Sequence, residues 1–555
     1  MPDSPTSKPE STLCACEDWM RSACDGEPSY QTAEGKWHCV LHFPGKEKSV
    51  EFEKALQKKL ENKNFNFQGV WFPDEVSFLN FEFGAPADFR RASFSASTDF
   101  TNATFNSTTS FSKATFGARA AFRRATFKAK ADFTFTTFDA PSDFSFAIFK
   151  AGAVFSFSTL NKQTEFRRVT FSEEADFRKV SFNAPAYFNY ATFSLKADFT
   201  NARFCAKAYF KRAIFSGVVY FTKTMFGAKV NFRVATFNGK AYFINALFSA
   251  TTEFSNVSFN ALASFARAIF NGNAHFTNAI FSATADFSAA TFAKDLSFRD
   301  TVFRDYIKFA GDEEKSKLSG ISSLDLQFTR IEQPEHVSFH HLIVRPHWFV
   351  FVNTRQFEFV NVRCRFVFAN EIKRLKERKI LFPYKQLSRT FRDLAINCEE
   401  GHRYKEASRY RYWAMDTFRR ERWRGLAFWR LSWWYWFASG YGERVWQAAI
   451  VLVILWFVFA SVFLIGQQSG QWWRPTQTQL QKTTLATQTK ASPDEIPRLT
   501  GFRDSLVYSA GVMMLQKPEP LPANKRARTF VLLETILGPV QAALLALAIR
   551  RKFMR

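Results

Sequence analysis

The sequence predicts a mostly β protein: a solenoid of short stacked segments, followed by a helical hairpin and a two-helix transmembrane module. Three observations predict it. Phenylalanine recurs at alternating steps of five and six residues from Phe67 to Phe309. Apolar residues take helical spacing between Tyr384 and Trp423, and two long apolar runs, Trp446 to Gly466 and Thr529 to Ile549, lie in the C-terminal part.

The repeat is clearest in ADFRRASFSASTDFTNATF, residues 87–105, where Phe89, Phe94, Phe100 and Phe105 mark the steps. The unit is eleven residues of the form Phe-x-x-Ala-x-Phe-x-x-x-Ala-x, and a fixed short period marks a stacked solenoid. Eleven-residue repeats also suit helical supercoils, but the abundance of Phe, Thr and Ser, with a small residue two before each Phe, favours short extended segments and turns. The recurring triplets are Ala-Asp-Phe (87–89, 131–133, 197–199) and Ala-Thr-Phe (103–105, 125–127, 191–193). On these triplets the sequence resembles the pentapeptide-repeat family, with Phe at the centre in place of the commoner Leu. The resemblance implies a right-handed quadrilateral β-helix in which the large apolar residue fills the axis and the small one lies inside the wall. Four faces would then take about 22 residues per coil, stacked at about 4.8 Å. The 70 Phe read as core, and no catalytic group follows from them.

Exposed positions of the rod carry charge. Arg90-Arg91, Arg123-Arg124, Arg167-Arg168, Arg178-Lys179 and Lys211-Arg212 each follow a repeat Phe directly. At about 22 residues per coil, Arg123, Arg124, Arg167, Arg168, Lys211 and Arg212 fall on one face two coils apart, with Arg233 one coil further. Such a stripe is either a solvated face or a contact surface for a protein or anionic ligand, including the phosphates of lipid or nucleic acid. The formal charge of +25 suits a basic partner-seeking surface or a membrane protein. Mimicry of DNA, ascribed to some pentapeptide-repeat proteins, needs a negative surface and is excluded here. Recognition-helix, zinc-finger and RNA-binding signatures are lacking.

The run WQAAIVLVILWFVFASVFLIG (446–466) has no charge and is long enough to cross the hydrocarbon core. TFVLLETILGPVQAALLALAI (529–549) carries one carboxylate, Glu534, and stops at Arg550-Arg551-Lys552. Arg419, Arg420, Arg422, Arg424, Arg430 and Arg444 precede the first run, and Arg550, Arg551, Lys552 and Arg555 follow the second. The positive-inside rule then places both flanks in the cytoplasm, against a weaker outer group of Lys525, Arg526 and Arg528. With no apolar signal segment opening the chain, the expectation is a multi-pass protein of the inner membrane with the rod and C-terminus cytoplasmic. Trp433, Trp434, Tyr435 and Trp436 ahead of the first run suit the headgroup level, or else a soluble docking surface.

Between the runs, GFRDSLVYSAGVMMLQKPEP (501–520) is a shorter apolar stretch. Span, half-span and span together resemble two-span potassium-channel-like pores, and residues 528–553 look like their inner helix, with Glu534 near its start and Gly538 where a hinge glycine is common. Pentapeptide-repeat proteins carrying such a module form a bacterial class, whose members the run Ser439 to Arg444 also resembles. The pore-like segment would be Ser509, Ala510, Gly511, Val512, Met513 and Met514. It lacks the Thr-Val-Gly-Tyr-Gly type of strand on which potassium selectivity rests, so that selectivity is not expected. An ionisable residue in a span usually faces a cavity or partner; for Glu534 the alternative is pairing with Arg526 or Arg528.

At the N-terminus, Cys14, Cys16, Cys24, Cys39 and His42, with His38 nearby, gather within about 30 residues, a density that suits a structural zinc knot. The spacing is not a standard ligand pattern, and free cysteines are the alternative. Cys205, Cys364 and Cys398 are scattered. His336, His340, His341 and His347 read as satisfied or exposed rather than metal-binding. Leu387, Phe391, Leu394 and Ala395, then Ala407, Tyr410 and Ala414, take helical register on either side of Glu399-Glu400-Gly401, resembling one tetratricopeptide-like hairpin.

The chain thus divides into a Cys/His-containing cap (1–64), the β-helix (65–310), irregular coils ending the rod (311–369), a helical hairpin adaptor (370–428), an interfacial aromatic segment (429–445), a first span (446–466), an external loop (467–500), a re-entrant segment (501–520) and a second span (529–549). Phosphate loops, nucleophile elbows and paired acid–base groups are missing, so an enzyme is not expected, nor a cofactor beyond structural zinc. The leading expectation is an ion-channel-like pore coupled to a cytoplasmic scaffold. Two spans cannot enclose a pore alone, so it would be a homo-oligomer, a tetramer if a pore. The alternative is a non-conducting, membrane-anchored scaffold for protein, anionic lipid or nucleic acid.

Overall fold

In the computed structural model, strand residues of the solenoid pair with residues 22 positions on, as Phe116 with Phe138, Ala131 with Ala153 and Thr192 with Ile214, until the last turns, where Asp295 pairs with Ser323 and Ile307 with Val337. The structure describes residues 13–24, 26, 28–311, 323–421, 431–468, 472–474, 501–519 and 521–553. Most of the expected external loop lies outside them, as do Trp429, Arg422, Arg424, Arg430 and Arg555. The chain forms two units, Met1–Glu371 and Ile372–Arg555.

The first unit is a β-solenoid of about 13 turns with four parallel sheets of 13, 11, 12 and 12 strands, most strands only two residues long. Each face buries its repeat Phe, and the small residue two before or three after lies inside the wall, as for Ala87, Phe89 and Ala92. Rings stack along the axis, Phe127 on Phe149 at 4.6 Å, and meet edge-on across it, Phe133 against Phe144 at 5.6 Å and 88°. Both arrangements suit the aromatic quadrupole. Where the residue three after a Phe is Thr or Ser, the hydroxyl donates to a carbonyl of the preceding turn, as Thr136 does to Phe111 and Thr224 to Phe199, both at 2.8 Å. A buried hydroxyl without that partner would be destabilising.

The eleven-residue period has a backbone cause. After every second Phe the chain makes a tight turn, closed by Ala92 N–H to Phe89 O and by Ala103 N–H to Phe100 O, both at 3.0 Å. Its second central residue has positive φ, from Arg91 and Asn102 through Phe146 and Tyr190 to Asn278 and Asp300, in the manner of a type II turn. The other corners are wider bends holding one more residue. Five-residue and six-residue steps therefore alternate, and the left-handed position recurs every eleven residues.

Both ends of the Phe columns are covered. At the N-terminal end lies α1 (Ser49–Glu61), whose Phe52 ring meets Phe72 edge-on at 5.4 Å; the sequence had not indicated this helix. Towards the other end Phe309, Phe339 and Phe359 continue one column. Within the expected irregular coils lie a 3₁₀ turn, Pro346–Phe349, and a strand, Glu358–Val360. Helix α2 (Phe368–Glu377) follows.

In the second unit α3 (Pro383–Glu400) and α4 (Tyr404–Glu421) form a hairpin on the predicted apolar stripe, burying Leu387, Phe391, Leu394, Ala407 and Ala414. Next come α5 (Leu431–Ser439), α6 (Val445–Gln468), α7 (Phe502–Met513) and α8 (Lys525–Phe553). Helices α6 and α8 pack on each other and both hold α7.

Core and corner make opposite predictions. Phe232→Ala should lower stability by about 3–5 kcal/mol, because a buried ring is lost from two stacks. Val234 is a β-branched residue at φ 60°, whereas Asn256 and Asn278 hold the same position in the next turns of that corner. Since Asn tolerates the left-handed region, Val234→Asn should raise stability by about 1 kcal/mol. Denaturant unfolding of the full chain in detergent checks both.

Candidate functional site

The tight corners carry the exposed chemistry of the solenoid. Along one of them, successive turns place Arg124, Phe146, Arg168, Tyr190 and Arg212 at the left-handed position. Arg124 and Arg168 lie over the Phe146 ring at 5.7 and 5.5 Å, and Arg168 and Arg212 over Tyr190 at 5.4 and 5.6 Å. Arg123, Arg167, Lys211 and Arg233 precede the left-handed residue on the same corner, so all seven predicted stripe residues meet on one exposed edge. Sequence reading had followed charge alone and missed the rings between the cations, although the same 22-residue spacing contains them.

Arg167 pairs with Glu165 at 2.7 Å and lies over Tyr187 at 4.7 Å. Among the described residues, Arg123, Arg124, Arg168, Lys211, Arg212 and Arg233 have no carboxylate at ion-pairing distance. Elsewhere on the rod Arg90, Arg91 and Arg178 do, with Asp88, Glu17 and Asp176 at 2.6, 2.7 and 2.8 Å. A guanidinium held over an aromatic face keeps its edge donors for a planar anion. At its left-handed positions, Arg124, Arg168 and Arg212, this corner is therefore an ordered row of cations without carboxylate partners.

Helices α6 and α8 are long and apolar enough to cross a membrane, yet only 22% and 17% of their apolar windows are buried. The core helix of a soluble domain would be mostly covered. Within the helix cluster Glu534 is buried and accepts a hydrogen bond from Ser509, so it is paired with α7 and not with Arg526 or Arg528. Trp456 Nε1 donates to Leu506 O at 2.9 Å. A Cβ on Gly538 would lie 2.8 Å from the Met513 side chain, so the bare glycine lets α7 approach α8.

Ser509, Ala510, Gly511, Val512 and Met513 are the last turns of α7, and Met514 is its exposed C-cap. The carbonyls of Ala510, Gly511 and Val512 accept from the N–H groups of Met514, Gln516 and Leu515 at 3.0, 2.9 and 3.0 Å. Those oxygens cap a helix, and they are not arrayed as a strand that could replace an ion's hydration shell.

Between α5 and α6 the run Ser439 to Arg444 makes a sharp elbow, with Gly440, Tyr441 and Gly442 all at positive φ. Glu443, whose side chain is 5% exposed, accepts from Arg411 of α4 at 3.0 Å, from Ser408 at 2.6 Å and from Arg551 of α8 at 3.4 Å. Gln541 donates to the carbonyls of Ala438 and Ala448 at 2.7 and 2.8 Å, tying α8 to both sides of the elbow. The hairpin, the elbow and both apolar helices thus share one polar joint.

The five predicted metal-ligand residues also come together. The ligand atoms of Cys14, Cys16, Cys24 and His42 lie within 4.8 Å of one another, and Cys39 Sγ is 3.1 Å from His42 Nδ1. His38 lies outside this group. The four histidines near the end of the solenoid do not converge: His336 stacks on Tyr306 at 3.7 Å, His340 meets Glu358 at 3.2 Å, His341 meets Asn361 at 3.1 Å and His347 meets Glu371 at 2.5 Å. Burial pushes the Cys398 thiol up to about 11, which keeps it protonated and unreactive.

Residues 78–126, 89–137, 166–206 and 232–280 match the family model for pentapeptide repeats (9 copies). A solenoid of pentapeptide repeats is therefore the class that repeat, register and core define. Neither the curated proteins nor the solved structures contain a significant match to the chain.

Removing the central carboxylate of the elbow leaves Arg551 without its ion-pair partner and Arg411 with Glu399 alone; because both arginines are partly exposed, the cost falls below the roughly 3–5 kcal/mol of a fully buried pair. Glu443→Ala should therefore expose the α3–α4 hairpin to protease at concentrations that leave the wild-type chain intact. Limited proteolysis with mass mapping reads this, and the solenoid fragments should be unchanged.

Proposed function

We propose that the chain is a membrane-anchored scaffold: α6 and α8 hold it in the bilayer, and the arginine–aromatic corner of its solenoid docks an anionic partner. The observation that carries the docking half is the row Arg124, Phe146, Arg168, Tyr190 and Arg212, in which three guanidinium groups are positioned by rings and left without carboxylates. The uncovered apolar surfaces of α6 and α8 carry the anchoring half. The rod and the C-terminus are assigned to the cytoplasmic side of an inner membrane by the basic residues flanking the spans. A groove of about 550 Å³ between α5, α6 and α8, lined by Trp434, Phe437, Val451, Leu537 and Leu544, suits an acyl chain and supports α5 as an interfacial helix.

A second reading, an ion-conducting oligomer, draws its support from α7, a short helix held between two long ones with Glu534 on its Ser509. The helix-capping use of the carbonyls after Ser509 weighs against it.

Two experiments test the proposal. Membranes containing the protein are washed at alkaline pH, and the chain should stay in the pellet; release would end the anchoring reading. Detergent-solubilised protein is titrated with fluorescent polyglutamate and with inorganic polyphosphate. Replacing Arg124, Arg168 and Arg212 together by Gln should weaken binding of at least one probe by tenfold or more, and equal affinity would remove the corner from the proposal. Planar-bilayer recording decides between the readings: silence retains the scaffold, whereas discrete currents altered by Glu534→Gln would establish the pore.

A further inference from the structure

The N-terminal cluster goes beyond the docking edge and the membrane anchor. Cys39 and His42 come from one turn, in which the N–H groups of His42 and Phe43 both donate to Cys39 O at 3.1 Å. This compact Cys-x-x-His pair meets two thiols from the segment before it. Around His42 Nδ1 lie Cys39 Sγ at 3.1 Å, Cys24 Sγ at 3.5 Å and Cys14 Sγ at 4.0 Å. Cys14 and Cys39 are buried, and the Cys39 N–H donates to Cys14 Sγ at 3.3 Å. Cys16 touches Cys24 at 3.5 Å, and both are half-buried.

The other face of the imidazole is already committed. His42 Nε2 is 2.9 Å from the carbonyl of Gln68, which can only accept, so Nε2 carries the hydrogen and Nδ1 is left as a lone-pair donor facing the thiols. Metal-binding histidines are oriented in this way by a carbonyl on the second nitrogen. Three soft thiolates and one imidazole around a common centre are the donor set of a tetrahedral zinc site.

We propose that Cys14, Cys24, Cys39 and His42 bind one structural zinc ion, with Cys16 outside the first coordination sphere, and that the ion fastens the cap to the first turn of the solenoid. Its attachment points explain the second half. Gln68 belongs to the segment that starts the first turn, and Trp71 N–H donates to Leu41 O at 3.0 Å, so the ligand-bearing turn between Cys39 and His42 is already bonded to that turn. Terminal coils of a solenoid need a cover, because their outer face lacks a stacking neighbour. A segment this short has little core of its own, and metal binding stands in for one.

The test uses the full chain purified with reductant and without chelator. Elemental analysis should give one zinc per chain. Exchange with cobalt(II) should give thiolate-to-metal charge transfer and the visible bands of tetrahedral coordination. Cys39→Ser and His42→Ala should each lower metal content at least fivefold, while Cys16→Ser keeps it. Removing zinc with a chelator should raise amide exchange across residues 13–61 and leave exchange in the middle turns unchanged. Metal-free native protein that gives no cobalt spectrum, or a Cys16–Cys24 disulfide in the reduced preparation, would overturn the site. Loss of metal in Cys16→Ser with retention in Cys39→Ser would overturn the ligand assignment. Unchanged exchange on zinc removal would overturn the fastening role.

Discussion

Ring-on-ring packing at a 22-residue register is the constraint on which the solenoid depends. Two-residue strands cannot be stable alone, since each contributes few hydrogen bonds against the entropy of ordering its turn. They persist because four Phe columns run through the turns, stacked along the axis and edge-on across it. The pairing of residue with residue 22 positions on follows from that core, because a slip of one residue would turn each ring outward. Every exposed feature of the rod inherits the same period. The cation row exists only because identical corners are superposed turn upon turn.

Much of this architecture is legible in the chain. The Phe spacing gives the solenoid, the helical stripe gives the hairpin, and the apolar runs give the two long helices. Why five alternates with six is not legible, because the left-handed corner position accepts Asn102, Arg124, Phe146, Val234 and Ala289 alike. No residue type announces it, and only the shared backbone shows that alternate corners differ. Helix α1 was missed for a related reason: its buried face is only Phe52, Ala55 and the stem of Lys59, with Leu56 and Leu60 half-covered, too sparse a stripe among many charges.

The candidate sites were legible to different depths. Cysteine and histidine density pointed to a metal although the spacing is not a standard ligand pattern, and the compact element in space is Cys39-x-x-His42. Basic pairs gave the stripe, and the intervening rings emerged only when the turns were superposed. Glu534 stood out as a carboxylate in an apolar run, yet its partner Ser509 is 25 residues away and no local pattern names it. Glu443 drew attention only through the Gly-rich run around it. Its role follows from Arg411 and Arg551, which lie 32 and 108 residues away in sequence.

One position departs from the Phe columns between Phe67 and Phe309, and it is Leu160. It pairs with Phe138 on one side and Phe182 on the other, so two successive ring stacks are missing from a single face. In a linear array whose cohesion is the sum of neighbour contacts, this is where adjacent turns hold each other least. Stretched along its axis, the solenoid would not fray uniformly; it would part at this seam into two blocks of turns, each with its own uninterrupted columns.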